Sequence, residues 1–296
     1  MAQRNVILDE LEALNSLKEL AESYEEIAAI RMQKIRNSVL KTRDFLSDIS
    51  DVFVDLKSSY KREVEDLLSH RIIGDNTLQP YLRKKGKILL VYLSSNGKLY
   101  GAVTQKTYLL FKEDINKDFS KDADLLVIGQ TGRELMSETN QSRKFEYFEI
   151  PDSNVGIDHI RELINKFIQY EIVYVYYGKF DNVVNQSPIS TSITGEEIFE
   201  TEIKSVTPRD DRFIFEPSLE KIFNFFETQI TANLFSQTLL ENQLARHASR
   251  VNAMEKALIH IDEEGKKLTK ETIRIKHRIQ NTKQLETISG LVLWNN

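Results

Sequence analysis

Two short glycine-containing segments occupy positions at which α/β proteins bind phosphate. Residues 94–101, Ser-Ser-Asn-Gly-Lys-Leu-Tyr-Gly, follow one apolar run, and residues 129–132, Gly-Gln-Thr-Gly, follow another. Backbone N–H groups at such strand-to-helix turns can hold a phosphate group. Neither segment has the GxGxxG spacing, and the chain contains no GxxxxGKS or GxxxxGKT motif. We therefore favour structural turns at both segments, with nucleotide binding as the alternative.

Other residue types that could perform chemistry form no pattern typical of catalysis. The chain has no cysteine, which excludes disulfides, thiolate metal sites and cysteine nucleophiles. Its five histidines lack the HExxH spacing, and no serine lies in a GxSxG elbow. Acidic pairs such as residues 25–26 and 263–264 lie in charged surroundings typical of solvated helix faces. We expect no catalytic residue, no cofactor and no metal.

Charge and hydropathy narrow the possible partners. The 296 residues carry a formal net charge of -5, which provides no overall basic field for a nucleic acid or an anionic membrane. The N-terminus lacks the apolar core of a signal peptide, and no run approaches the roughly 20 apolar residues of a membrane span. We expect a cytoplasmic protein that binds no nucleic acid and does not itself span a membrane.

A long amphipathic helix is predicted over residues 1–70. From Asn5 to about Leu68 there is neither proline nor glycine, and strong helix formers dominate. Apolar positions alternate spacings of four and three, which defines a coiled-coil seam. The seam positions are Ala28, Met32, Ile35, Val39, Thr42, Leu46, Ile49, Phe53, Leu56 and Tyr60. Upstream, Leu11, Leu14, Leu17 and Tyr24 leave this register, so we expect the seam to loosen or change partner there.

Residues 218–296 repeat the pattern and predict a second helix. It should begin after Pro217, with Ser218 as its cap, and continue to about Trp294. Its seam positions are Leu240, Leu244, His247, Val251, Met254, Leu258, Ile261, Gly265, Leu268, Thr272, Ile275 and Ile279. Gly265 on this seam suggests a close helix approach or a local bend. Because two such seams would otherwise expose long apolar strips, the helices should pair antiparallel.

Residues 71–217 change to short apolar runs separated by helical stretches, which predicts an α/β domain. Helices are expected near residues 102–112 and 157–170. The predicted buried strands are residues 88–93, 125–128 and 172–177. The fold class is therefore α/β, with a Rossmann-like central domain and a long antiparallel coiled coil formed by the N- and C-terminal helices.

The second helix carries the most distinctive stretch, His-Ala-Ser-Arg-Val-Asn-Ala-Met at residues 247–254, with Glu-Thr-Ile-Ser-Gly at residues 286–290. These resemble H-A-A-R-M-x-A-M and E-I-x-x-G of the gamma subunits of F-type ATP synthases. Residues 215–218 and residues 175–180, followed by Pro188, are similar to further segments of that family. Order and spacing agree over most of the chain.

Several family signatures are altered, so the chain resembles a divergent member. The family's S-D-R-G-L-C-G-G corresponds to residues 94–102, with one extra residue. The S-E pair before the histidine is replaced by Ala245 and Arg246. The R-Q-x-x-I-T of the last helix becomes residues 276–281, Lys-His-Arg-Ile-Gln-Asn, which keep positive charge and lose the pattern. The resemblance implies the family fold, while its partners could be equally altered.

The resemblance implies a non-catalytic rotating shaft that couples nucleotide turnover in a ring of alpha- and beta-like subunits to rotation and to proton or ion transport. It also implies an epsilon-like subunit, a membrane rotor ring and a peripheral location on the inner face of a membrane. An apolar C-terminal end could turn against the ring with little directional bonding. The candidate ring contacts are Arg250, Met254, Lys276, His277, Arg278, Glu286, Ile288, Leu291, Val292 and Trp294.

Three other functions remain open. A structural coiled-coil adaptor with a globular head would share the seams but need no ring. A small nucleotide-binding enzyme with helical arms would require a phosphate loop that the sequence does not supply. A motor subunit derived from a rotary ATPase could lack any coupling to ion transport. The direction of the reaction, synthesis or hydrolysis, does not follow from the sequence.

Overall fold

The computed structural model describes residues 2–70, 87–139, 143–194 and 219–294. Along the sequence, one very long helix precedes an α/β region and a second very long helix follows it. The helices are α1 (Ala2–His70), α2 (Val103–Ile115), α3 (Gln130–Glu138), α4 (Ile157–Phe167) and α5 (Leu219–Trp294), with a short 3₁₀ turn at Asp118–Ser120. The strands are β1 (Ile88–Leu93), β2 (Asp124–Ile128), β3 (Glu146–Phe148), β4 (Ile172–Phe180) and β5 (Gln186–Ser192).

The five strands form one sheet in the order β3-β2-β1-β4-β5. Strand β1 is parallel to both β2 and β4, and β2 is parallel to β3. This confirms the predicted strands and the Rossmann-like core. Strand β5 is antiparallel to β4 and was not predicted, because Gln-Ser-Pro-Ile-Ser-Thr-Ser is polar. Its edge position explains how Pro188, which has no N–H to donate, is tolerated.

Both faces of the sheet are covered by helices. On one face, Tyr92 of β1 stacks on Phe111 of α2 with ring centroids 5.4 Å apart, and Met136 of α3 joins this cluster. On the other face, Phe167 of α4 meets Phe235 of α5 edge to face at 5.0 Å. Strands buried on both sides read as continuous apolar runs, which is why the sequence revealed β1 and β2 clearly.

The chain forms two compact units, residues 1–29 with 250–296, and residues 30–249. In the first unit α1 and α5 pair antiparallel: Lys18 contacts Asp262 at 2.9 Å, while Tyr24, further along α1, lies against Arg250, which comes earlier in α5. In the second unit Arg43 of α1 contacts Glu241 of α5 at 2.9 Å. The predicted antiparallel coiled coil is thus confirmed within the first unit.

The expectation that the α1 seam loosens upstream of Ala28 is wrong. The positions that continue the register of the predicted seam, with alternating spacings of four and three, are all buried or half-buried: Ile7, Leu11, Leu14, Lys18, Ala21, Glu25 and Ala28. Leu17, which the sequence placed on the apolar side, is 52% exposed. Lys18 disguised the register because its stem occupies a seam position while its ammonium reaches Asp262.

The α5 seam is confirmed from Leu240 to Ile279, since each of its positions is buried or half-buried. The side chains of the α1 seam from Leu46 to Tyr60 lie outside the described residues, as do Ser218 and the boundaries at 70/71 and 217/218. The division into residues 1–70, 71–217 and 218–296 therefore stays a prediction.

Gly265 does not mark a close approach of two helices. A Cβ atom built at this position would meet nothing within 4 Å among the described residues, and α5 continues through it. We expect Gly265→Ala to raise the free energy of unfolding by about 0.5–1 kcal/mol, because alanine restricts the unfolded chain and favours the helix. Chemical denaturation should measure the gain, and a loss of stability would show that the site is crowded after all.

Candidate functional site

The turn after β1 holds a carboxylate of the same chain where a phosphate could have been expected. The backbone N–H groups of Asn96 and Gly97 donate to the two carboxylate oxygens of Asp152, at 3.0 and 2.7 Å. Both amides are thereby used internally. This geometry supports the interpretation of residues 94–101 as a structural turn rather than a nucleotide loop.

Asn96 joins the ends of three parallel strands. Its side-chain oxygen accepts a hydrogen bond from the Gln130 N–H at 3.0 Å, and its amide nitrogen donates to the carbonyl of Ile150 at 2.7 Å. The turn after β2 fits closely against this loop. Gly129 has φ +96°, and a Cβ there would lie 2.8 Å from the backbone nitrogen of Ser95. The glycines of residues 129–132 thus allow close packing of the loops at the carboxyl ends of β1 and β2.

Arg246 of α5 binds the same Asp152 carboxylate. Together with Asn242, one turn earlier on α5 and described below, these residues form what we call the strand-end cluster: Asn96, Asp152, Asn242 and Arg246. The Arg246 guanidinium donates to Asp152 Oδ1 at 2.6 Å and to the carbonyl of Ser94 at 3.3 Å. Only 6% of the Arg246 side chain is exposed, and its guanidinium carbon lies 5.0 Å from the centre of the Tyr100 ring. A buried charge held by a carboxylate, a carbonyl and an aromatic face orders its helix firmly.

The electrostatics at Asp152 follow from this surrounding. Burial alone would raise the pKa of Asp152, but the Arg246 charge and the hydrogen bonds from Asn96, Arg246 and Gly97 outweigh it, so the pKa lies below its ordinary value. The carboxylate is therefore ionised under neutral conditions, and the ion pair with Arg246 is formed.

A second polar anchor lies one turn earlier on α5. Asn242 donates from its amide nitrogen to the carbonyl of Leu93 at 3.2 Å and accepts from the N–H of Gly178 at 3.1 Å. Since Leu93 ends β1 and Gly178 lies in β4, one side chain fastens the helix to two neighbouring strands. These contacts place α5 over the carboxyl end of the parallel sheet.

The family-like stretch at residues 247–254 begins at this anchor. His247 is buried, with its ring edge on Tyr100 at 5.9 Å between centroids, and Ser249 lies against Gly101. Arg250 is also buried, with its guanidinium 5.6 Å from the ring centre of Tyr24. The first residues of this stretch therefore pack within the chain.

The other candidate contact residues differ in exposure. Met254 is half-buried on the seam, whereas Lys276, His277 and Arg278 are exposed, as expected for positions beside the Ile275 and Ile279 seam. Glu286 and Ile288 are exposed as well. The side chains of Leu291, Val292 and Trp294 lie outside the described residues, although α5 extends to Trp294.

Sequence reasoning missed the strand-end cluster. Asp152 and Asn242 belong to no recognisable motif, and Arg246 had been interpreted only as a residue flanking the seam. One signal was available: Arg246 stands where the resembled family has an acidic residue, and a reversed charge at a helix position calls for a new partner. Its partner, Asp152, lies 94 residues away in the sequence.

No group of three or more histidine, cysteine, aspartate or glutamate side chains is placed to hold a metal ion within the described ranges. Of the helices that the structure describes, none combines the length and apolar character needed to cross a bilayer.

Comparisons with known proteins agree with one another. The sequence matches the profile of a family described as ATP synthase over residues 4–281. It is 23% identical to the ATP synthase gamma chains of Ehrlichia canis and of Pelagibacter ubique, with 98% of this chain covered in each alignment and 98% and 99% of those chains.

The fold is similar to that of solved central stalks. In the Tetrahymena thermophila mitochondrial ATP synthase, a central stalk and c-ring structure contains a chain with a TM-score of 0.57 and 21% identity, covering 80% of this chain and 99% of that one. A chain in the rotor of the Euglena gracilis mitochondrial ATP synthase matches with a TM-score of 0.61 and 11% identity. The alignment covers 94% of this chain and 99% of that one.

Proposed function

The chain belongs to the ATP synthase gamma-chain family, and on that premise we propose that it is the central rotating shaft of a rotary ATPase. The observation that carries the proposal is the family match over residues 4–281, which includes most of both long helices and the sheet between them. The antiparallel pairing of α1 and α5 in the first unit supports it, because two helices wound together resist twisting better than one.

The shaft contributes mechanics, and the chemistry of ATP belongs to its partners. Asp152 occupies the amides of the turn after β1, so that turn offers no free cradle for a nucleotide phosphate. We propose that alpha- and beta-like subunits form a ring around the helix pair, and that the shaft's asymmetry links their nucleotide sites to rotation.

Further partners follow from the same family membership. We propose that an epsilon-like subunit and a membrane rotor ring bind the shaft, coupling rotation to proton or ion transport. The protein would then lie at the inner face of a membrane as a peripheral part of the complex. A motor subunit without ion transport is the second candidate, favoured by the altered motif at residues 276–281.

Reconstitution tests the coupling role. The isolated chain should hydrolyse no ATP, whereas adding it to its cognate ring should change the ring's ATP turnover. Identification of the proteins that co-purify with the chain should find ATPase ring subunits, and the presence or absence of channel subunits decides between the two candidates. Equal turnover with and without the shaft, in a complex verified to contain it, would reject the proposal.

The basic residues Lys276, His277 and Arg278 are proposed to contact the ring electrostatically. They point about 100° apart around α5, so they can present charge to different ring subunits as the shaft turns. We expect the triple alanine variant to fold and assemble normally, because the three side chains are exposed and lie off the seam. ATP-driven turnover or torque should fall, since each partly buried charge pair contributes about 1–3 kcal/mol.

A control must separate position from charge. Lys106 and Lys144 are two exposed basic residues of the second unit, and their double alanine variant removes two formal charges, as many as the loss of Lys276 and Arg278 with His277 counted neutral. Turnover should stay near the wild-type value in this control. Equal losses from both variants, or wild-type torque in the α5 variant, would remove the case for a specific contact at residues 276–278.

A further inference from the structure

A cavity of about 540 Å³ lies within the second unit, between α1, the segment that follows Asp152, and α5. Its volume falls within the roughly 300–1,000 Å³ typical of small-molecule pockets. The lining residues are Arg31, Lys34, Ile35 and Ser38 of α1, Ser153, Asn154, Val155 and Ile160, and Ser236, Leu239, Leu240, Gln243 and His247 of α5.

The charged side chains that line this cavity are all basic. Arg31 and Lys34 lie three residues apart, on the same face of α1, and neither forms an ion pair with a residue that the structure describes. No carboxylate is among the lining residues. The nearby acids are engaged elsewhere, Asp152 with Arg246 and Glu241 with Arg43. The charged side chains that line the cavity are therefore suited to an anion.

An amide side chain, that of Gln243, also lines the cavity. Gln243 is only 8% exposed, and its side chain makes no hydrogen bond to any other described residue. Its amide nitrogen can donate and its amide oxygen can accept, so both are available to a ligand in the cavity. Ile35, Ile160 and Leu239 provide an apolar wall beside it. The combination of two cations, an amide and an apolar wall is that of a site for an organic anion.

We propose that this cavity binds a small organic phosphate ester. The phosphate is held by Arg31 and Lys34, the body of the molecule packs on the apolar wall, and the Gln243 amide bonds a polar group of that body. Free phosphate shares the oxyanion chemistry but would leave the wall and the amide uncontacted. The proposal concerns the chain itself and does not depend on its role as a shaft.

Isothermal titration of the full-length chain tests the site with three probes: AMP, inorganic phosphate and adenosine. AMP should bind, with inorganic phosphate and adenosine each at least tenfold weaker. The double variant Arg31→Ala, Lys34→Ala should weaken AMP binding at least tenfold, and Gln243→Leu should weaken it several-fold. The double variant Lys106→Ala, Lys144→Ala removes the same charge elsewhere and should leave the affinity unchanged.

Each contrary result has a definite meaning. Inorganic phosphate that binds as tightly as AMP would identify a free-phosphate site and overturn the organic ligand. AMP binding that survives loss of Arg31 and Lys34 would overturn the location. No binding of any probe at millimolar concentration would overturn the proposal. Unchanged thermal unfolding of the exposed double variant, without ligand, confirms that it folds.

Discussion

Arg246→Ala is expected to lower the free energy of unfolding by about 3–5 kcal/mol, because it breaks a buried ion pair by removing one partner. The substitution leaves Asp152 partly buried, at 21% side-chain exposure, without its counter-charge. It also removes the donor to Ser94 and the stacking on Tyr100. Urea denaturation followed by circular dichroism measures the change.

A double-mutant cycle with Asp152→Ala separates the ion pair from the packing. Each single variant leaves one buried charge without its partner, and the double variant removes both charges. The double variant should therefore be little less stable than either single variant. Arg161→Ala removes an exposed arginine paired with Asp158 and should change stability little. Strictly additive losses in the cycle would mean that Arg246 and Asp152 are not energetically coupled.

The same pair makes stability depend on acid. The folded-state pKa of Asp152 lies below its unfolded value of about 3.9, so the folded chain binds this proton less readily than the unfolded chain does. The stabilisation is therefore complete above about pH 4 and is lost as the pH falls below it, through the folded-state pKa. Asp152→Asn should flatten this part of the stability profile.

Gly101→Ala should have the second large effect. The residue has φ +66°, and a Cβ would lie 2.4 Å from the Ser249 hydroxyl oxygen and 2.7 Å from the Ser249 carbonyl oxygen. The hydroxyl can rotate away, but the carbonyl belongs to the backbone of α5 and cannot. The loop must then move off the helix or stay strained. We expect a loss of about 2–4 kcal/mol, from backbone strain together with overpacking.

Gly156→Ala provides the matched comparison. Gly156 is exposed, has an extended φ of -68°, and a Cβ would meet only the His159 ring at 3.4 Å. Its replacement should change the unfolding free energy by less than about 1 kcal/mol. If both glycine variants behaved alike in thermal unfolding, the close approach of the 94–101 turn to α5 could not be what requires Gly101.

The long helices and the central strands could be predicted because each depends on the spacing of apolar residues close together in the sequence. The seam of α5 and the buried strands β1 and β2 follow from spacing and apolar runs alone. The register of α1 near Lys18 was mistaken because a charged side chain at a seam position breaks the apolar pattern, while its stem still packs. A periodic pattern shows whether each residue is apolar or charged. It does not show which atoms of a long side chain are buried.

The strand-end cluster could not be predicted because its members come from distant parts of the chain. Asn96 follows β1, Asp152 follows β3, and Asn242 and Arg246 belong to α5. Only the sheet order and the position of α5 bring them together. Likewise, the sequence predicts a structural turn at residues 94–101, but the Asp152 carboxylate that accepts from the amides of Asn96 and Gly97 is visible only in the fold.

Rotation of a single labelled shaft tests the central claim most directly. The chain has no cysteine, so Lys106→Cys, at an exposed position of α2, gives one specific attachment point for an optical probe. The labelled shaft would be assembled with its cognate ring, the ring fixed to a surface, and ATP added. A rotating shaft predicts continuous turning of the probe in one direction, at a rate that rises with ATP and stops without it. A ring that hydrolyses ATP at full rate while the probe stays stationary would contradict the proposed function.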